Sequence, residues 1–447
     1  MSKLMKSVSG IRGIVGESLT LEKIFKLAKQ FGVFSNKGKI LIGRDSRKTG
    51  KMIFQAVSAA LMSVGCDVEN LGICPTPTIL LQVEDSDAAG GIAITASHNP
   101  KQWNALKLIT TNGTFLNEKQ SEQFWSINPE KISENVWNKI GLLTENKQAI
   151  EHHINRILNL DYIDTKNIQS KKYKVVIDST NGAGGVFSPL LLKKLGCKVI
   201  ELYSETSGDF SRIPEPSAEN LQDLEKIVRK EKADIGFATD PDVDRLSVVS
   251  NDGVALGTEY TLGLIEDYVL SITKGNIATN LSSSMLSDRI AEKYGVEVFR
   301  AKVGEINVAE KMKENSCVIG GEGNGGIILP DLHFTRDAPM AMALILSYMA
   351  KTDKTVAQLA DRLPKYKIYK TKVPVNDKLD FLEIMKEIKR LFPNEKYDLT
   401  DGIKIVGNAF WLHVRKSGTE PIVRIYAESD SLKISKKLVR KIIALFN

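Results

Sequence analysis

Short runs of β-branched and other apolar residues recur along the chain, and each run stops at a loop rich in Gly, Asp and Ser. The clearest cases lie in Lys39–Arg47, Gly91–His98, Tyr173–Gly182, Ala233–Asp242 and Cys317–Glu322. Continuous apolar runs of this kind are typical of strands buried on both faces of an α/β sheet. Ligand-binding groups are expected at the carboxyl ends of such strands, so the polar loops that follow them are candidate sites.

Segments before and between these runs carry apolar residues at helical spacing. The spacing predicts helices over Leu21–Phe34, Lys51–Val64 and Leu221–Glu231. Strands that alternate with helices favour βαβ units over separate helical and sheet regions.

The C-terminal part of the chain has a different pattern. It predicts antiparallel strands over 403–406 and 410–415 around Gly407-Asn408, a strand over 422–428 and an amphipathic helix over 431–446. We therefore predict an α/β protein with three mixed-sheet α/β domains and a smaller C-terminal α+β domain. The predicted domains span residues 1–150, 151–252, 253–366 and 367–447.

The segment Asp240–Arg245 reads D-P-D-V-D-R and carries the strongest local signal for chemistry. Its three carboxylates, Asp240, Asp242 and Asp244, can surround one hard cation, and without a cation they would repel each other. A solvated acidic loop is the alternative. An EF-hand is disfavoured, because Arg245 stands where that loop needs Gly and Asn251 where it needs Glu.

The segment Thr95–Pro100 reads T-A-S-H-N-P and follows the second apolar run. A serine at a strand end is a candidate nucleophile or phosphate carrier, although a simple turn is the alternative. A Ser–His hydrolase pair is disfavoured, because the side chains of neighbours such as Ser97 and His98 rarely face each other. Four cations lie near the predicted loops, and each alone is typical of a solvated surface charge: Arg12, Arg44, Arg47 and Lys107.

Two further loops are rich in hydrogen-bonding groups. The segment Arg415–Pro421 reads R-K-S-G-T-E-P and combines guanidinium, hydroxyl and backbone N–H donors, which a phosphate dianion needs. The glycine-rich segment 320–326 carries Glu322 and Asn324, which suit sugar hydroxyls, and lacks the Gly-Lys-[Ser/Thr] ending of an ATP-binding loop. An incidental basic hairpin and a plain flexible turn are the respective alternatives.

Composition excludes several classes of protein. The chain has 447 residues, of which 42% are apolar and 26% charged, as in globular proteins rather than disordered or fibrous ones. The net charge is +7, but residues 351–447 alone carry +9, so the chain is not basic throughout as a nucleic-acid polycation would be. The four cysteines form no C-x-x-C pair, and the stretch Pro339–Ala350 falls short of a membrane span of ~20 residues. We expect a cytoplasmic protein with neither a membrane nor a nucleic acid as partner.

These segments, taken together and in order, resemble the α-D-phosphohexomutase family, which includes phosphoglucomutase, phosphomannomutase and phosphoglucosamine mutase. The resemblance runs from Ser9 to about Tyr426 and rests on T-A-S-H-N-P, D-x-D-x-D-R and R-x-S-G-T-E-P in one chain. It implies four domains around a central cleft and a monomer or homodimer that acts on small phosphosugars. It also implies Mg²⁺ as cofactor and hexose 1,6-bisphosphate as activator and intermediate between hexose 6-phosphate and hexose 1-phosphate.

The resemblance also implies roles for individual residues. Ser97 would be the phosphoserine, and its phosphate would join Asp240, Asp242 and Asp244 in holding Mg²⁺. Arg245 would support the phosphoryl group, with His98 also catalytic and Arg12 and Lys107 as candidate general acids or bases. Substrate-binding roles would fall to two groups: Glu322, Asn324 and Lys302 at the sugar, and Arg415, Ser417, Gly418, Thr419 and Arg424 at the phosphate that is not reacting.

The chain departs from the family pattern in the glycine-rich loop. The family often reads G-E-x-S-G-H there, whereas this chain has Asn324 for Ser and Gly326 for His. A proton-transfer role of that His cannot be carried over, and the choice among glucosamine, glucose and mannose phosphates stays open. Two rival functions also remain: a Mg²⁺-dependent sugar phosphatase acting through Ser97, and a sugar-phosphate-binding protein without activity.

Overall fold

A computed structural model gives the structure of the chain and describes residues 4–375, 380–417 and 422–446. The first part of the chain builds a mixed sheet in the order β1-β2-β6-β5-β3-β4-β7. Its strands are β1 Met5–Ser7, β2 Gly10–Ile14, β3 Ile40–Arg44, β4 Val68–Ile73, β5 Gly90–Ile94, β6 Trp103–Thr110 and β7 Leu143–Glu145. Its helices are α1 Leu21–Phe34, α2 Gly50–Ser63, α3 Thr76–Glu84 and α4 Glu118–Ser126, with 3₁₀ turns at Pro129–Lys131 and Trp137–Lys139.

Helices cover both faces of this sheet. Ile40 and Ile42 of β3 pack into one apolar core with residues of α1 and α2, whereas Leu41 between them packs into a second core with residues of α3. Alternate residues of a strand point to opposite faces, so β3 is apolar throughout because both of its faces are buried.

The second sheet has the order β11-β10-β8-β9 and is parallel except at β11. The elements of this part are α5 Ala149–Leu158, α6 Thr165–Lys171, β8 Lys174–Asp178, α7 Gly184–Lys194, β9 Lys198–Leu202, a 3₁₀ turn at Ala218–Asn220, α8 Gln222–Glu231, β10 Ile235–Thr239 and β11 Leu246–Ser250.

The third sheet has the order β13-β12-β14-β15 and is parallel except at β15. The elements here are α9 Thr258–Leu270, β12 Ile277–Asn280, α10 Leu286–Tyr294, β13 Val298–Ala301, α11 Glu305–Glu314, β14 Ile319–Glu322, β15 Gly326–Ile328, α12 Ala338–Thr352 and α13 Val356–Asp361. The apolar stretch Pro339–Ala350 forms most of α12 and is buried throughout, and one apolar core joins α12 to the second sheet and its helices. In the described part of the chain, no helix has the length and apolar character needed to cross a membrane.

The fourth sheet is antiparallel, in the order β16-β20-β19-β18-β17. Its elements are β16 Lys367–Pro374, α14 Phe381–Leu391, β17 Lys396–Asp398, β18 Ile403–Val406, β19 Phe410–Lys416, β20 Ile422–Ser429, α15 Leu432–Ile443 and a 3₁₀ turn at Ala444–Phe446. The predicted fold class is therefore confirmed, whereas the domain boundaries stay a prediction.

Buried polar contacts attach the fourth sheet to the third part of the chain. Glu428 of β20 accepts hydrogen bonds from the backbone N of Met285 and from Nε1 of Trp411, both at 2.7 Å. His413 of β19 lies 2.8 Å from the hydroxyl of Ser282 through its Nδ1. The contacts with Met285 and Ser282 cross the junction, whereas Trp411 belongs to the fourth sheet itself and holds the Glu428 carboxylate from that side. Because these polar groups are buried, each depends on its hydrogen-bond partner.

Candidate active site

The loop after β5 holds Ser97 in a left-handed conformation. Ser97 has φ of 48° and is 4% exposed, and its backbone N donates to the hydroxyl of Thr95 at 3.0 Å. Its own hydroxyl donates to Oδ2 of Asp240 at 2.8 Å. Few non-glycine residues adopt this conformation, and those that do cluster at functional sites.

His98 also contacts the Ser97 hydroxyl, with its Nδ1 at 3.2 Å. The expectation that these neighbouring side chains would not face each other is therefore wrong, and the left-handed turn at Ser97 explains why. Burial, together with the charges of Arg245 and Arg12, holds the pKa of His98 well below 6.5. The imidazole is consequently neutral at neutral pH.

A buried arginine fixes the path of the Ser97 loop. Nη2 of Arg47 donates to the carbonyls of Ser97 and Asn99 at 2.5 and 2.7 Å, and its Nη1 donates to those of Pro100 and Trp103 at 2.7 and 3.0 Å. Its Nε pairs with Asp45 at 3.0 Å. Arg47 is 1% exposed, so its interpretation as a solvated surface charge is wrong.

The loop between β10 and β11 brings three buried carboxylates together. One oxygen each of Asp240, Asp242 and Asp244 lies within 4.8 Å of the others, and all three residues are buried, which rules out the solvated acidic loop. Burial and the two neighbouring carboxylates raise the pKa of Asp240 well above 3.8. A bound cation would relieve this repulsion.

The remaining carboxylate oxygens show that the site suits a cation. Oδ2 of Asp242 accepts from Nζ of Lys107 at 2.7 Å, and Oδ2 of Asp244 from Nη2 of Arg336 at 2.5 Å. In the described residues, Oδ1 of each of these aspartates is buried and accepts no hydrogen bond. Oxygen atoms of this kind are the ligands that Mg²⁺ prefers. Burial would raise the pKa of Asp242, but the pairing with Lys107 outweighs it and lowers that pKa.

Two further arginines lie at the same cluster. The backbone N of Arg245 donates to Oδ1 of Asp240 at 3.3 Å, and its Nε lies 3.8 Å from Oδ1 of Asp244. Arg12 donates to the side chain of Asn99 at 2.6 Å, next to the Ser97 loop. The structure therefore brings together the predicted catalytic and metal-ligating residues: Ser97, His98, Arg12, Lys107, Arg245 and the three aspartates.

Glu322 ends β14 and is enclosed by donors. Its Oε1 accepts from Nδ2 of Asn280 at 2.7 Å and from the backbone N of Gly304 at 3.0 Å, while its Oε2 accepts from Arg336 at 2.8 Å and from Asn324 at 3.2 Å. Burial would raise the pKa of Glu322, but Arg336 and Asn280 outweigh it and lower that pKa. The carboxylate is therefore ionised at neutral pH.

Lys302 lies apart from this group. Its side chain is 50% exposed, and its Nζ is 3.8 Å from Oε1 of Glu118 in the first part of the chain. The backbone N of Gly304, two residues after Lys302, donates a hydrogen bond to Oε1 of Glu322. Lys302 is thus near the glycine-rich loop, and within the described residues its ion pair is with Glu118.

The fourth sheet carries a row of three cations. Lys372, Arg424 and Arg415 occupy directly opposed positions on β16, β20 and β19. Like charges at opposed positions of a sheet repel one another. Nη1 of Arg415 lies 3.5 Å from Asp401, and the backbone N of Ser417 donates to the carbonyl of Ile422 at 2.9 Å. The predicted residues Gly418 and Thr419 lie outside the described residues.

Sequence reasoning did not assign a role to Arg336, Asn280 or Arg47. Arg336 stands in Thr335-Arg-Asp-Ala-Pro339, directly before the fully apolar α12, and Asp337 caps that helix by accepting from the backbone N of Met340 at 2.7 Å. A charged residue beside the cap of an apolar helix is the signal that could have drawn attention to Arg336. Arg47 follows Asp45 by two positions, a spacing that suits the local ion pair found here.

Family models match all four parts of the chain. Residues 3–133, 151–253 and 258–366 match alpha/beta/alpha domains I, II and III of phosphoglucomutase/phosphomannomutase, and residues 371–445 match its C-terminal domain.

Individual proteins resemble the chain over nearly its whole length. A phosphoglucomutase/phosphomannomutase of Thermococcus kodakarensis is 39% identical over 94% of this chain and 94% of its own. A phosphoglucosamine/phosphogalactosamine mutase of Sulfurisphaera tokodaii is 36% identical over 99% of this chain and 98% of its own. The crystal structure of a putative phosphomannomutase from Thermus thermophilus has a TM-score of 0.85 at 25% identity and covers 100% of both chains.

Proposed function

The chain belongs to the phosphoglucomutase/phosphomannomutase family and is an intramolecular phosphotransferase, and we propose that it works through a phosphoserine at Ser97. Its reaction is the interconversion of hexose 6-phosphate and hexose 1-phosphate. The observation that carries the proposal is the hydrogen bond of 2.8 Å between the Ser97 hydroxyl and Asp240. It puts the proposed phosphate carrier against three buried carboxylates and beside Arg245, where a phosphoryl group can be received and released.

Two transfers of one phosphoryl group account for the reaction. In the first, the bond between phosphorus and Oγ of Ser97 breaks, and a bond forms to the free hydroxyl of the hexose phosphate, which gives a hexose 1,6-bisphosphate. In the second, the bisphosphate has turned around, and its other phosphoryl group returns to Oγ. The hydroxyl proton must leave in the first transfer and be restored in the second.

Lys107 is the proposed general acid or base for that proton. Its Nζ donates to Oδ2 of Asp242 at 2.7 Å, so the amine lies at the aspartate cluster that the Ser97 hydroxyl also contacts. Arg12 remains the second candidate, although a guanidinium rarely gives up its proton. His98 is neutral and contacts Ser97, so its proposed role is to orient the serine hydroxyl.

Asp240, Asp242 and Asp244 would hold Mg²⁺, with an oxygen of phospho-Ser97 as a further ligand. When bound, the ion supplies neutralisation of the charge on the phosphoryl oxygens. Arg245 adds a second positive charge on the same side. Without a cation between them, burial and the charges of the other two aspartates raise the pKa of Asp240.

Recognition of the substrate is proposed to divide between two regions. Arg415, Arg424, Ser417, Gly418 and Thr419 would hold the phosphate that is not reacting. Glu322 and Asn324 would contact sugar hydroxyls, with Lys302 at the edge. Both oxygens of Glu322 already accept two hydrogen bonds, so a hydroxyl would displace the longest of them, which Asn324 donates from 3.2 Å. The candidate sugars are glucosamine, glucose and mannose phosphates, in keeping with the names of the relatives.

The proposal is tested by Ser97→Ala, with Ser58→Ala as control, because Ser58 is a buried serine within helix α2 and belongs to neither the Ser97 loop nor the aspartate loop. After incubation with hexose 1,6-bisphosphate, intact mass should rise by one phosphoryl group in the native chain and in the Ser58 variant, but not in the Ser97 variant. Mutase turnover should fall by about three orders of magnitude or more in the Ser97 variant alone.

Full turnover by the Ser97 variant would overturn the mechanism. Release of free phosphate without any bisphosphate requirement would instead support the phosphatase alternative, which nothing in the relatives favours.

A further inference from the structure

The buried guanidinium of Arg336 joins the metal loop to the sugar loop. Its Nη2 lies 2.5 Å from Oδ2 of Asp244, and its Nη1 lies 2.8 Å from Oε2 of Glu322. Its Nε is 3.2 Å from Oε2 of Glu305, the first residue of α11. Arg336 is 8% exposed. One side chain therefore contacts both the candidate cation site and the carboxylate proposed to bind the sugar.

Gly326 provides the space through which this side chain passes. A Cβ at position 326 would lie 2.1 Å from Cδ of Arg336 and 2.8 Å from its Cγ. Gly326 does not have the positive φ that would itself demand glycine. Position 326 therefore requires glycine because of Arg336. The guanidinium is held by its carboxylate partners, so the aliphatic part of the side chain cannot move away from an added Cβ.

The planar fork of Arg336 makes its contacts depend on each other. A guanidinium presents its donors in a fixed plane, unlike an ammonium, which is a point charge on a flexible stem. Lys107 donates to one carboxylate, Asp242, whereas Arg336 divides its two amino groups between Asp244 and Glu322. A change at Glu322 therefore reorients the donor that faces Asp244.

We propose that Arg336 is a positioning residue that couples the cation site to the sugar loop, so that a change at Glu322 alters cation binding at Asp244. The proposal rests on the proposed function for the roles of the two loops, and its coupling is measurable without any turnover. Arg336 contacts the carboxylates rather than the reacting atoms. It orients Asp244 so that Oδ1 stays free for the cation, as Lys107 does for Asp242.

The test is a calorimetric titration with Mg²⁺ alone, without sugar, which measures the dissociation constant of the cation. It is carried out on the native chain, Glu322→Gln, Arg336→Met and the double variant. In the native background, Glu322→Gln should weaken Mg²⁺ binding on the order of 10-fold, because the released guanidinium turns fully to Asp244 and competes with the cation. In the Arg336→Met background, the same change at Glu322 should alter the dissociation constant by less than about twofold, since no coupling residue remains.

Equal effects of Glu322→Gln in both backgrounds would overturn the proposal, because they would show a direct electrostatic effect. No effect in either background, or no Mg²⁺ binding by the native chain, would overturn it too. Mutase activity, assayed separately, distinguishes this failure from a failure of the proposed function.

Gly326→Ala gives a second route that changes no charge. The added Cβ should displace Arg336, and Glu322→Gln in this background should again have little effect on Mg²⁺ binding. Thermal unfolding in EDTA identifies any variant that has not folded. Arg336→Lys keeps the charge but loses the planar fork. In that background, Glu322→Gln should change the logarithm of the Mg²⁺ dissociation constant by less than half of its change in the native chain. Full coupling in the Gly326→Ala background would overturn the proposal.

Discussion

At the scale of single residues, the cation row on the fourth sheet has a direct consequence for substrate affinity. Arg415 faces Arg424 across the strands, and a phosphate between them would replace repulsion with charge-assisted hydrogen bonds. Arg415→Ala should therefore raise KM for a hexose phosphate by about 10- to 100-fold, the usual effect of losing a hydrogen bond to a charged group. Steady-state kinetics on the variant measures this change.

Lys416→Ala is the matched control for Arg415. Lys416 is the next residue of β19 and so points to the opposite face, where its Nζ lies over the ring of Phe381. Its removal should leave KM within about twofold. A similar rise in KM for both variants would contradict a specific phosphate site at Arg415.

Arg47 makes a second prediction at this scale. Arg47→Met should destabilise the chain by about 3–5 kcal/mol, because Asp45 would stay buried without its partner and four loop carbonyls would lose their donor. Denaturant-induced unfolding measures the loss. Asp45→Asn together with Arg47→Met should recover part of it, and the absence of any recovery would contradict the role of the ion pair.

The burial of Arg47 and Arg336 could not be predicted from the sequence. The residue types of three motifs predict their chemistry directly, and these motifs contain Ser97, the three aspartates and Arg415. Arg47 and Arg336 stand in no such motif, and they contact residues 50 and 92 positions away, Ser97 and Asp244. A lone arginine in a sequence gives no sign of such a distant partner.

At the scale of elements, helix prediction succeeded where one face of the helix is polar. Helix α1 was predicted from its periodicity with the bounds that it has, Leu21–Phe34, and Thr20 caps it by accepting from the backbone N of Lys23. Helix α12 is the opposite case. All of its residues from Ala338 to Ala350 are buried, so its sequence has no polar face from which a period can be read.

Helix α9 carries a buried acid that should make stability depend on pH. Burial, opposed in part by a hydrogen bond from Ser287, raises the pKa of Glu266 to about 8. An unfolded glutamate ionises near pH 4.5, so the folded state loses stability as pH rises from about 4.5 to about 8. The loss is ~1.4 kcal/mol per pH unit in that window.

Glu266→Gln should remove this dependence. The variant should be close to the native chain in unfolding free energy at pH 5 and more stable than it at pH 8. Equilibrium unfolding at several pH values between these limits measures the difference. A constant difference across the window would contradict a neutral Glu266 in the folded chain.

At the scale of the whole molecule, the site is assembled from separate sheets. Ser97 follows a strand of the first sheet, the aspartates lie in a loop between two strands of the second, and Glu322 and Arg336 belong to the third part of the chain. The order of the motifs allowed the four-domain architecture to be predicted by resemblance. The contacts between those parts could not be predicted, because they depend on loop conformations such as the left-handed turn at Ser97.

The fourth part of the chain should separate from the third when Glu428 is lost. Glu428→Ala would leave the backbone N of Met285, across the junction, and Nε1 of Trp411, within the fourth sheet, without their buried acceptor. The expected cost is about 3 kcal/mol or more for the junction. Small-angle scattering should show a larger radius of gyration, and limited proteolysis should cut the connection near residue 366 sooner.

Glu383→Ala is the control for that experiment, since Glu383 lies on the exposed part of α14 and pairs with Lys386. Its scattering profile should match that of the native chain. An unchanged profile for Glu428→Ala as well would contradict a junction held by this carboxylate.

The close approach of Gly326 and Arg336 also constrains how the sequence can change over evolutionary time. Any side chain at 326 would strike the stem of Arg336, and loss of Arg336 alone would leave Asp244, Glu305 and Glu322 without their shared cation. Each single change should therefore be harmful, and only a paired change avoids the clash at position 326. In an alignment of relatives, the two columns should therefore change together, and lineages that carry a side chain at 326 should have lost the arginine.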